Sequence, residues 1–245
     1  MACMSGMRLN KYSTSSGLCS RRKADELIEN GQVMVNGKIV TELGFLVQDK
    51  DKVFVDKKLI HPKKLEYYRF YKPAGYITTC DDEKGRKTIY DLLPKNMLSL
   101  KPVGRLDKDS TGLLILTNDG ELINALTHPS VKVPKIYLVG VDSEVKREEL
   151  ERMANGIELE KDKVAYADIE VLELTNNHTQ MRITLYQGMN RQIRRMFEHF
   201  GYEVKSLKRI QHATLTLDGL KRAEFKPIKP IQIRELKNFL NRISK

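Results

Sequence analysis

Residues 104–110 (GRLDKDS) place a guanidinium and two carboxylates directly before an apolar run. The run, residues 113–117 (LLILT), predicts a buried strand. Gly104 and Gly112 bracket the loop, and a loop supported by a buried strand is a common place for catalytic groups. An ionised carboxylate there can act as a nucleophile or stabilise a cationic sugar. Asp107 is therefore the first candidate catalytic residue.

Two carboxylates so close in sequence also suit a glycoside hydrolase that uses Asp107 and Asp109 as its acid and base. Such pairs normally flank the sugar from different structural elements, whereas these two lie in one loop. The hydrolase stays open as an alternative.

A carboxylate in a pocket needs a nearby cation to stay ionised, because desolvation raises its pKa. Residues 185–201 offer such cations on a predicted helix that Asn190 caps and Gly201 ends. Its apolar stripe, at helical spacing, consists of Ile193, Met196, Phe197 and Phe200. The arginines off that stripe are Arg191, Arg194 and Arg195. The helix dipole disfavours cations near the N-terminus, so anionic partners are expected for them.

The chain carries 43 Lys and Arg against 32 Asp and Glu, a formal net charge of +11. Residues 1–65 have 12 basic and 7 acidic side chains, residues 66–180 have 16 and 20, and residues 181–245 have 15 and 5. Positive charge at both ends favours a polyanionic partner, although a merely solvated basic surface stays open.

Cys3, Cys19 and Cys80 are far apart and form no CxxC pair, so neither a disulfide framework nor a zinc site is predicted. No apolar stretch approaches about 18 residues, and the N-terminus lacks an apolar signal core. We expect reduced thiols, a cytoplasmic location and no contact with a membrane.

Local signals predict a compact unit at the start of the chain. A short helix is followed by a second helix, which begins after Ser20 and ends at Gly31. Asn36-Gly37 between two short strands predicts a type I′ hairpin, and residues 51–55 read as another strand.

Beyond a linker at residues 61–68, strands outnumber helices. Predicted strands include residues 113–117, 136–140, 164–174 and 212–217. Regular βαβ alternation is missing, so the pattern predicts an α+β fold with a mainly antiparallel sheet.

The first unit resembles an S4-type RNA-binding domain. GRLD followed by DSTGLLILTNDG resembles the signature loop of the pseudouridine synthases that modify ribosomal RNA through such a domain, and the likeness runs from Arg8 to about Phe225. GMNRQIRRMFEHFGYEV resembles most the large-subunit rRNA pseudouridine synthase F group of this RsuA-type family. The resemblance implies an S4-type domain at residues 7–62 and a catalytic domain at residues 67–240.

That family isomerises a uridine in RNA: the N1–C1′ glycosidic bond breaks and the base is rejoined through C5, without a cofactor. The implied partner is large-subunit (23S) rRNA or an assembly intermediate, with a tRNA open as a further substrate, and the implied state is a monomer. A non-catalytic S4-domain protein that binds RNA or assists ribosome assembly stays open as an alternative.

The resemblance also implies roles for single residues. The essential carboxylate of the family corresponds to Asp107. The motif QIRRM makes Arg194 its ionic partner, and KIYLVG makes Tyr137 the ring that stacks on the target base and takes part in removal of the C5 proton. Arg105 is the implied wedge that displaces the base.

RNA or substrate contacts are implied for a further set of residues. The segment FYKPAG matches a family motif near the substrate pocket, through Lys72 and Pro73. The implied RNA-phosphate contacts are Arg191 and Arg195 in the second domain and Lys11, Arg21, Arg22 and Lys23 in the first. A phosphate at the second helix would relieve the unfavourable placement of cations at a helix N-terminus.

Overall fold

The computed structural model describes residues 6–80 and 82–243. The chain divides into two compact units, residues 1–65 and residues 66–245, and each unit has its own hydrophobic core. Cys3 lies outside the described residues, and Cys19 and Cys80 are free thiols. No helix of the described segments is both long and apolar enough to cross a membrane.

The first unit contains two helices and short strands. They are β1 (Met7–Arg8), α1 (Leu9–Ser15), α2 (Arg21–Glu29), β2 (Val33–Val35), β3 (Lys38–Ile39), β4 (Leu46–Val47), β5 (Val53–Val55) and β6 (Lys58–Ile60). β1 pairs with β4, and the others form a four-stranded sheet in the order β3-β2-β5-β6.

The local predictions for this unit are confirmed. The Ser20 side chain accepts a hydrogen bond from the Lys23 backbone N–H and caps α2, and Gly31 follows the helix with φ +68°. Asn36 and Gly37 both have positive φ, 51° and 81°, as a type I′ turn requires.

The second unit is built on one large sheet. Its strands are β7 (Tyr67–Lys72), β8 (Lys101–Pro102), β9 (Thr111–Thr117), β10 (Lys135–Val141), β11 (Ile157–Glu160), β12 (Lys163–Ala165), β13 (Asp168–Thr175), β14 (His178–Leu185), β15 (Val204–His212), β16 (Leu215–Thr216) and β17 (Phe225–Pro227). Its α-helices are α3 (Gly120–Thr127), α4 (Arg147–Asn155), α5 (Gln192–Glu198) and α6 (Pro230–Ile243). Short 3₁₀ helices span Ile89–Leu92 and Lys95–Met97.

The strand order of the large sheet is β13-β14-β10-β15-β9-β7-β17, with β16 beside β15 and β8 beside β9. The pairs are antiparallel except β9 with β15, which run parallel. β11 and β12 form a separate ribbon. The predicted α+β class with a mainly antiparallel sheet is confirmed.

The large sheet separates two hydrophobic cores. Along β9, Leu114 and Leu116 belong to one core, and Leu113 and Ile115 belong to the other. The first, here called the α5-side core, includes Ile193, Met196 and Phe197 of α5. The second, the α3-side core, includes Leu122 and Leu126 of α3 and Leu236 and Leu240 of α6.

Two predicted strands are wrong in extent. Residues 164–174 divide into β12 and β13, and residues 212–217 contribute only the end of β15 and the short β16. The central strand β15 was not predicted, because Lys205, Lys208 and Arg209 interrupt its apolar pattern. Arg209 is nevertheless buried, since its Nε donates a hydrogen bond to the Leu113 carbonyl at 2.7 Å.

Candidate active site

Hydrogen bonds hold the loop at residues 104–110 directly before it and within it. Before it, the Val103 N–H donates to the Ile115 carbonyl at 2.8 Å. At Leu106, inside the loop, the carbonyl accepts a hydrogen bond from the Thr78 hydroxyl at 2.8 Å. Within it, the Ser110 N–H donates to the Asp107 carbonyl at 3.1 Å. Asp107 itself is half-buried. The loop therefore presents this carboxylate from a constrained backbone.

The Lys72 side chain anchors the same loop from beneath. It is fully buried at the end of β7, and its Nζ lies 2.9 Å from the Asp107 carbonyl oxygen and 2.8 Å from that of Ser110. The carbonyls of Pro73 and Lys108 are the further acceptors, at 3.1 Å and 3.3 Å. With no exposed surface in this structure, Lys72 does not offer the RNA or substrate contact predicted for it, and its ammonium binds the loop carbonyls instead.

Burial lowers the pKa of Lys72 to about 8, although the nearby Asp107 and Asp109 carboxylates act to raise it. The ammonium has three hydrogens and a positive charge for the loop carbonyls, whereas the neutral amine has two hydrogens and no charge. The anchor is therefore strongest below about pH 8.

Turnover of Lys72→Met at pH 7 is expected to be about tenfold below that of the wild type, because hydrogen bonds to a charged group are lost from the loop. As the pH rises through 8, the wild-type amine is neutralised, so the ratio of the two rates should approach one. Single-turnover rates from pH 6.5 to 9.5 measure this ratio. Lys108→Met, at an exposed position of the loop, is the control and should follow the wild type.

Unfolding would not account for a fall in the wild-type rate above pH 8. The pKa of Lys72 is about 10.5 in the unfolded chain and about 8 in the folded one, so the unfolded state binds more protons between these values. The contribution of Lys72 to the free energy of unfolding therefore rises, relative to pH 7, as the pH rises from 8 to 10.5. A ratio that stayed constant across the range would contradict the anchoring role.

A row of paired residues crosses the sheet directly below the loop. Lys72 pairs with Gly112, Gly112 with Arg209, and Arg209 with Tyr137. Tyr137 is thus two strand spacings, about 10 Å, from Gly112. It belongs to the α5-side core, as does Leu106 next to Asp107, and is 9% exposed. Leu106, inside the loop, and Tyr137 therefore lie on one side of the sheet, the side of α5.

Gly112 is required where the loop enters β9. Its φ is +110°, and a Cβ at this position would lie 2.2 Å from the carbonyl oxygen of Arg209 on the neighbouring strand. No other residue type allows this close approach without displacement of one strand.

The predicted ion pair between Arg194 and Asp107 is absent from the described part of the chain. The Arg194 Nη1 instead donates to the Val204 carbonyl at 2.7 Å, at the start of β15, and its Nε is buried without a partner. Lys208 of β15 pairs in parallel with Thr111 of β9. Val204 lies four residues before Lys208, and Asp107 lies four residues before Thr111, so both lie toward the same end of the sheet. Arg194 is therefore bound at the sheet end where the loop lies, but as a support for β15.

The other two arginines of this segment both pair with glutamates. Arg191 is exposed, has φ +48° and occupies the N-cap position predicted for Asn190, and its Nη2 lies 3.4 Å from Glu198. Arg195 lies 2.6 Å from Glu160 and 2.7 Å from the Leu159 carbonyl, so it joins α5 to β11. The anionic partner expected for Arg195 is therefore a protein carboxylate in this structure.

Arg209 was missed by the sequence reasoning. It is 2% exposed, its Nη2 has no hydrogen-bond partner, and its charge helps to lower the pKa of Lys72. After burial itself, Arg209 is also the largest cause of the low pKa of His212. The available signal was a pair of basic residues inside an otherwise β-like run. The site thus has buried positive charge behind the carboxylate loop.

In the first unit, the predicted RNA contacts lie around the start of α2. Arg21 and Arg22 are exposed, Lys23 pairs with Glu26 at 2.8 Å, and Lys11 on α1 is half-buried.

In the second unit, Pro73 is buried directly after β7. Within residues 6–80 and 82–243, no group of three or more His, Cys, Asp or Glu side chains could hold a metal ion.

Comparison with known proteins gives consistent likenesses for both units. The family described as RNA pseudouridylate synthase matches residues 66–199, and the S4 domain matches residues 7–53. Ribosomal large subunit pseudouridine synthase B of Bacillus subtilis is 40% identical over 232 residues, which cover 94% of this chain and 95% of that protein.

Dual-specificity RNA pseudouridine synthase RluF of Escherichia coli is also 40% identical, over 240 residues that cover 95% of this chain and 79% of that protein. Among solved structures, a crystal structure of a pseudouridylate synthase is 28% identical and superposes with a TM-score of 0.68. It covers 94% of this chain and 99% of its own.

Proposed function

Since the chain belongs to the RNA pseudouridylate synthase family, we propose that it isomerises a specific uridine of large-subunit ribosomal RNA to pseudouridine, with Asp107 as the catalytic carboxylate. The observation that carries this proposal is the Asp107 loop, which Lys72 anchors on the side of the sheet that bears Tyr137. The name of the Bacillus subtilis relative supports the choice of large-subunit RNA.

The reaction rearranges atoms within one nucleotide. The N1–C1′ bond breaks while the Asp107 carboxylate attacks or stabilises the reacting sugar, and the base turns so that C5 forms the new bond. The C5 proton is lost and N1 gains one, so no atom is added to the product. Tyr137 stacks against the base and takes part in removal of the C5 proton.

Positive charge surrounds the Asp107 loop in this proposal. Lys72 lies beneath the loop and Arg194 is bound at the same end of the sheet. Such charge attracts the RNA phosphates and stabilises negative charge in the site once a bound base excludes water. Arg194 thus acts through its charge near the site rather than through a direct ion pair in the RNA-free protein.

The target uridine must leave the RNA stack before Asp107 can reach its sugar. Arg105 is exposed and lies two residues from Asp107, at most about 7 Å of extended chain. Its guanidinium fills the gap left by the displaced base. Arg191 and Arg195 contact phosphates of the same RNA, which requires Arg191 to exchange its Glu198 partner and Arg195 its Glu160 partner.

We assign RNA binding to residues 7–62 and the chemistry to residues 67–240. Arg21 and Arg22, with Lys11 and Lys23, bind phosphates around the N-terminus of α2, where backbone N–H groups are also available. The protein works in the cytoplasm as a monomer, and tRNA is the second substrate class to be assayed.

Arg21→Gln combined with Arg22→Gln is expected to raise KM for RNA about tenfold and to leave kcat unchanged. Loss of two phosphate contacts should also reduce the slope of log Kd against log salt by about 1.5. Titrations between 50 and 300 mM salt measure the slope. Lys57→Gln with Lys58→Gln, in the hairpin of the same unit, is the control. Equal slopes for the two double variants would contradict the assignment of RNA binding to α2.

The proposed function is tested by release of tritium from uridines labelled at C5. Large-subunit rRNA that lacks pseudouridine should release tritium at one site, whereas small-subunit rRNA should not. RNA binding without release would favour the non-catalytic RNA-binding protein. Oligosaccharide cleavage that survives Arg194→Ala would favour the glycoside hydrolase.

A further inference from the structure

A recess opens beside the 104–110 loop, next to α3. Its volume is about 510 Å³, within the usual range of ligand pockets. Methyl-bearing or apolar side chains and two cations line it, among them Thr78, Pro102, Ile123, Thr127, Lys101 and Arg105. Of the residues that line it, the chemistry proposed above uses Arg105 alone.

The wall of the recess is apolar although threonines contribute to it. The Thr78 hydroxyl donates to the Leu106 carbonyl and accepts from its N–H, and the Thr127 hydroxyl donates to the Ile123 carbonyl. The Thr127 methyl group lies 3.6 Å from the position of a Cβ on Gly104. With these hydroxyls bound to the backbone, methyl groups and the Pro102 ring remain to contact the flat face of a base.

The charged residues of the recess suit a phosphate. Lys101 and Arg105 are both exposed, and neither forms an ion pair with a described residue. Unpaired nucleotides are usually bound by aromatic side chains beside basic ones, and here the Pro102 ring and the methyl groups take the place of the aromatic ring. The recess thus has the chemistry of a nucleotide subsite.

The recess is distinct from the place of the target uridine. Tyr137 belongs to the α5-side core, whereas Ile123 packs against the α3-side core on the other face of the sheet. Arg105 lines the recess and lies two residues from Asp107. A nucleotide next to the target in the RNA strand therefore spans from one place to the other.

We propose that this recess binds one unpaired nucleotide adjacent to the target uridine, with its base against Pro102, Ile123 and Thr127 and its phosphate at Lys101. The inference rests on the proposed function and adds a determinant of sequence context to it. Arg105 stands between the two nucleotides, where it separates their bases.

The test uses two changes: a bulky side chain that fills the recess, and an RNA that lacks the base proposed to bind there. Thr127→Tyr fills the recess from the exposed last turn of α3. The substrate is an rRNA fragment around the mapped uridine, with an abasic spacer at one flanking position at a time. Wild-type kcat/KM should fall about tenfold for one flanking spacer, the usual effect of losing one stacked base. The kcat/KM of Thr127→Tyr should be about tenfold below that of the wild type on the intact fragment. The spacer should not lower it further, because both changes remove the same contact.

Asn124→Tyr is the matched control, since it adds the same ring one turn earlier on α3 at an exposed position outside the recess. It should behave as the wild type, and both tyrosine variants should keep the wild-type melting temperature. As a second measurement, 2-aminopurine at the sensitive position should brighten when Asp107→Asn binds the fragment, and should stay quenched when the bound protein also carries Thr127→Tyr.

Lys101→Gln supplies a readout independent of recess shape. It should raise KM and reduce the salt slope by about one. A methylphosphonate at the sensitive nucleotide should produce the same loss in the wild type and no added loss in Lys101→Gln.

Multiplicative effects of Thr127→Tyr and the spacer would overturn the inference, as would equal rates for the two tyrosine variants. Sensitivity confined to the target uridine would overturn it as well, since the recess would then hold the reacting base. Failure of the proposed function is distinguishable, because it would appear as wild-type protein that releases no tritium from any rRNA.

Discussion

Asp107→Asn is expected to lower turnover about a thousandfold or more while RNA affinity stays within about twofold of the wild type. The amide keeps the size of the carboxylate but can neither attack the sugar nor stabilise its positive charge. The loop should keep its position, because Lys72 binds the Asp107 main-chain oxygen and not its side chain. Single-turnover tritium release and equilibrium binding to the same RNA measure the two quantities.

Asp109→Asn is the matched control for this experiment. Asp109 is exposed, lies in the same loop and acts with Asp107 to raise the pKa of Lys72. Its replacement should leave turnover within about threefold, the scale of a surface charge change. An active Asp107→Asn, or an equally inactive Asp109→Asn, would remove the basis for a single catalytic carboxylate. Loss of RNA binding by Asp107→Asn would contradict the assigned role.

Gly112→Ala is expected to have the second largest effect: turnover about a hundredfold lower and unfolding free energy reduced by about 3 kcal/mol. The added Cβ would meet the backbone of Arg209 at 2.2 Å for its oxygen and 2.6 Å for its nitrogen. Backbone atoms of a central strand cannot rotate away as a side chain can, so β9 or β15 must move. The loop that carries Asp107 ends at β9 and moves with it.

Gly201→Ala distinguishes steric contact from backbone strain. Gly201 has φ +82° and no atom within 4 Å of an added Cβ, so its replacement carries only the strain, about 1 kcal/mol. Denaturant unfolding and single-turnover rates of both variants make the comparison. The steric explanation fails if Gly112→Ala is no worse than Gly201→Ala in either measurement.

Several features of this protein are local, and the sequence alone was enough for them. Ser20 caps α2 through a side chain three residues from its donor, and Asn36-Gly37 forms its turn from its own backbone preferences. The apolar stripe of α5 and the strand after the GRLD loop follow from spacing within one segment. Asp107 could be singled out because its loop, its strand and its motif are contiguous.

Other features depend on contacts between distant segments. Lys72 reads as a surface lysine until β7 pairs with β9 and brings it under carbonyls 35 to 38 residues away. Arg209 interrupts the apolar pattern of β15, so the strand does not look central, and its hydrogen bond to the Leu113 carbonyl forms only once β15 lies beside β9.

The sequence thus determined which side chain is the candidate for the chemistry and which segments form helices and turns, because those properties are encoded within a few residues. The tertiary structure decided what supports that side chain: Lys72 beneath the loop, Gly112 against Arg209, and Arg194 on Val204. These partners are chosen by strand order and register, which arise from burial of both faces of the sheet and leave no mark at any one position in the chain.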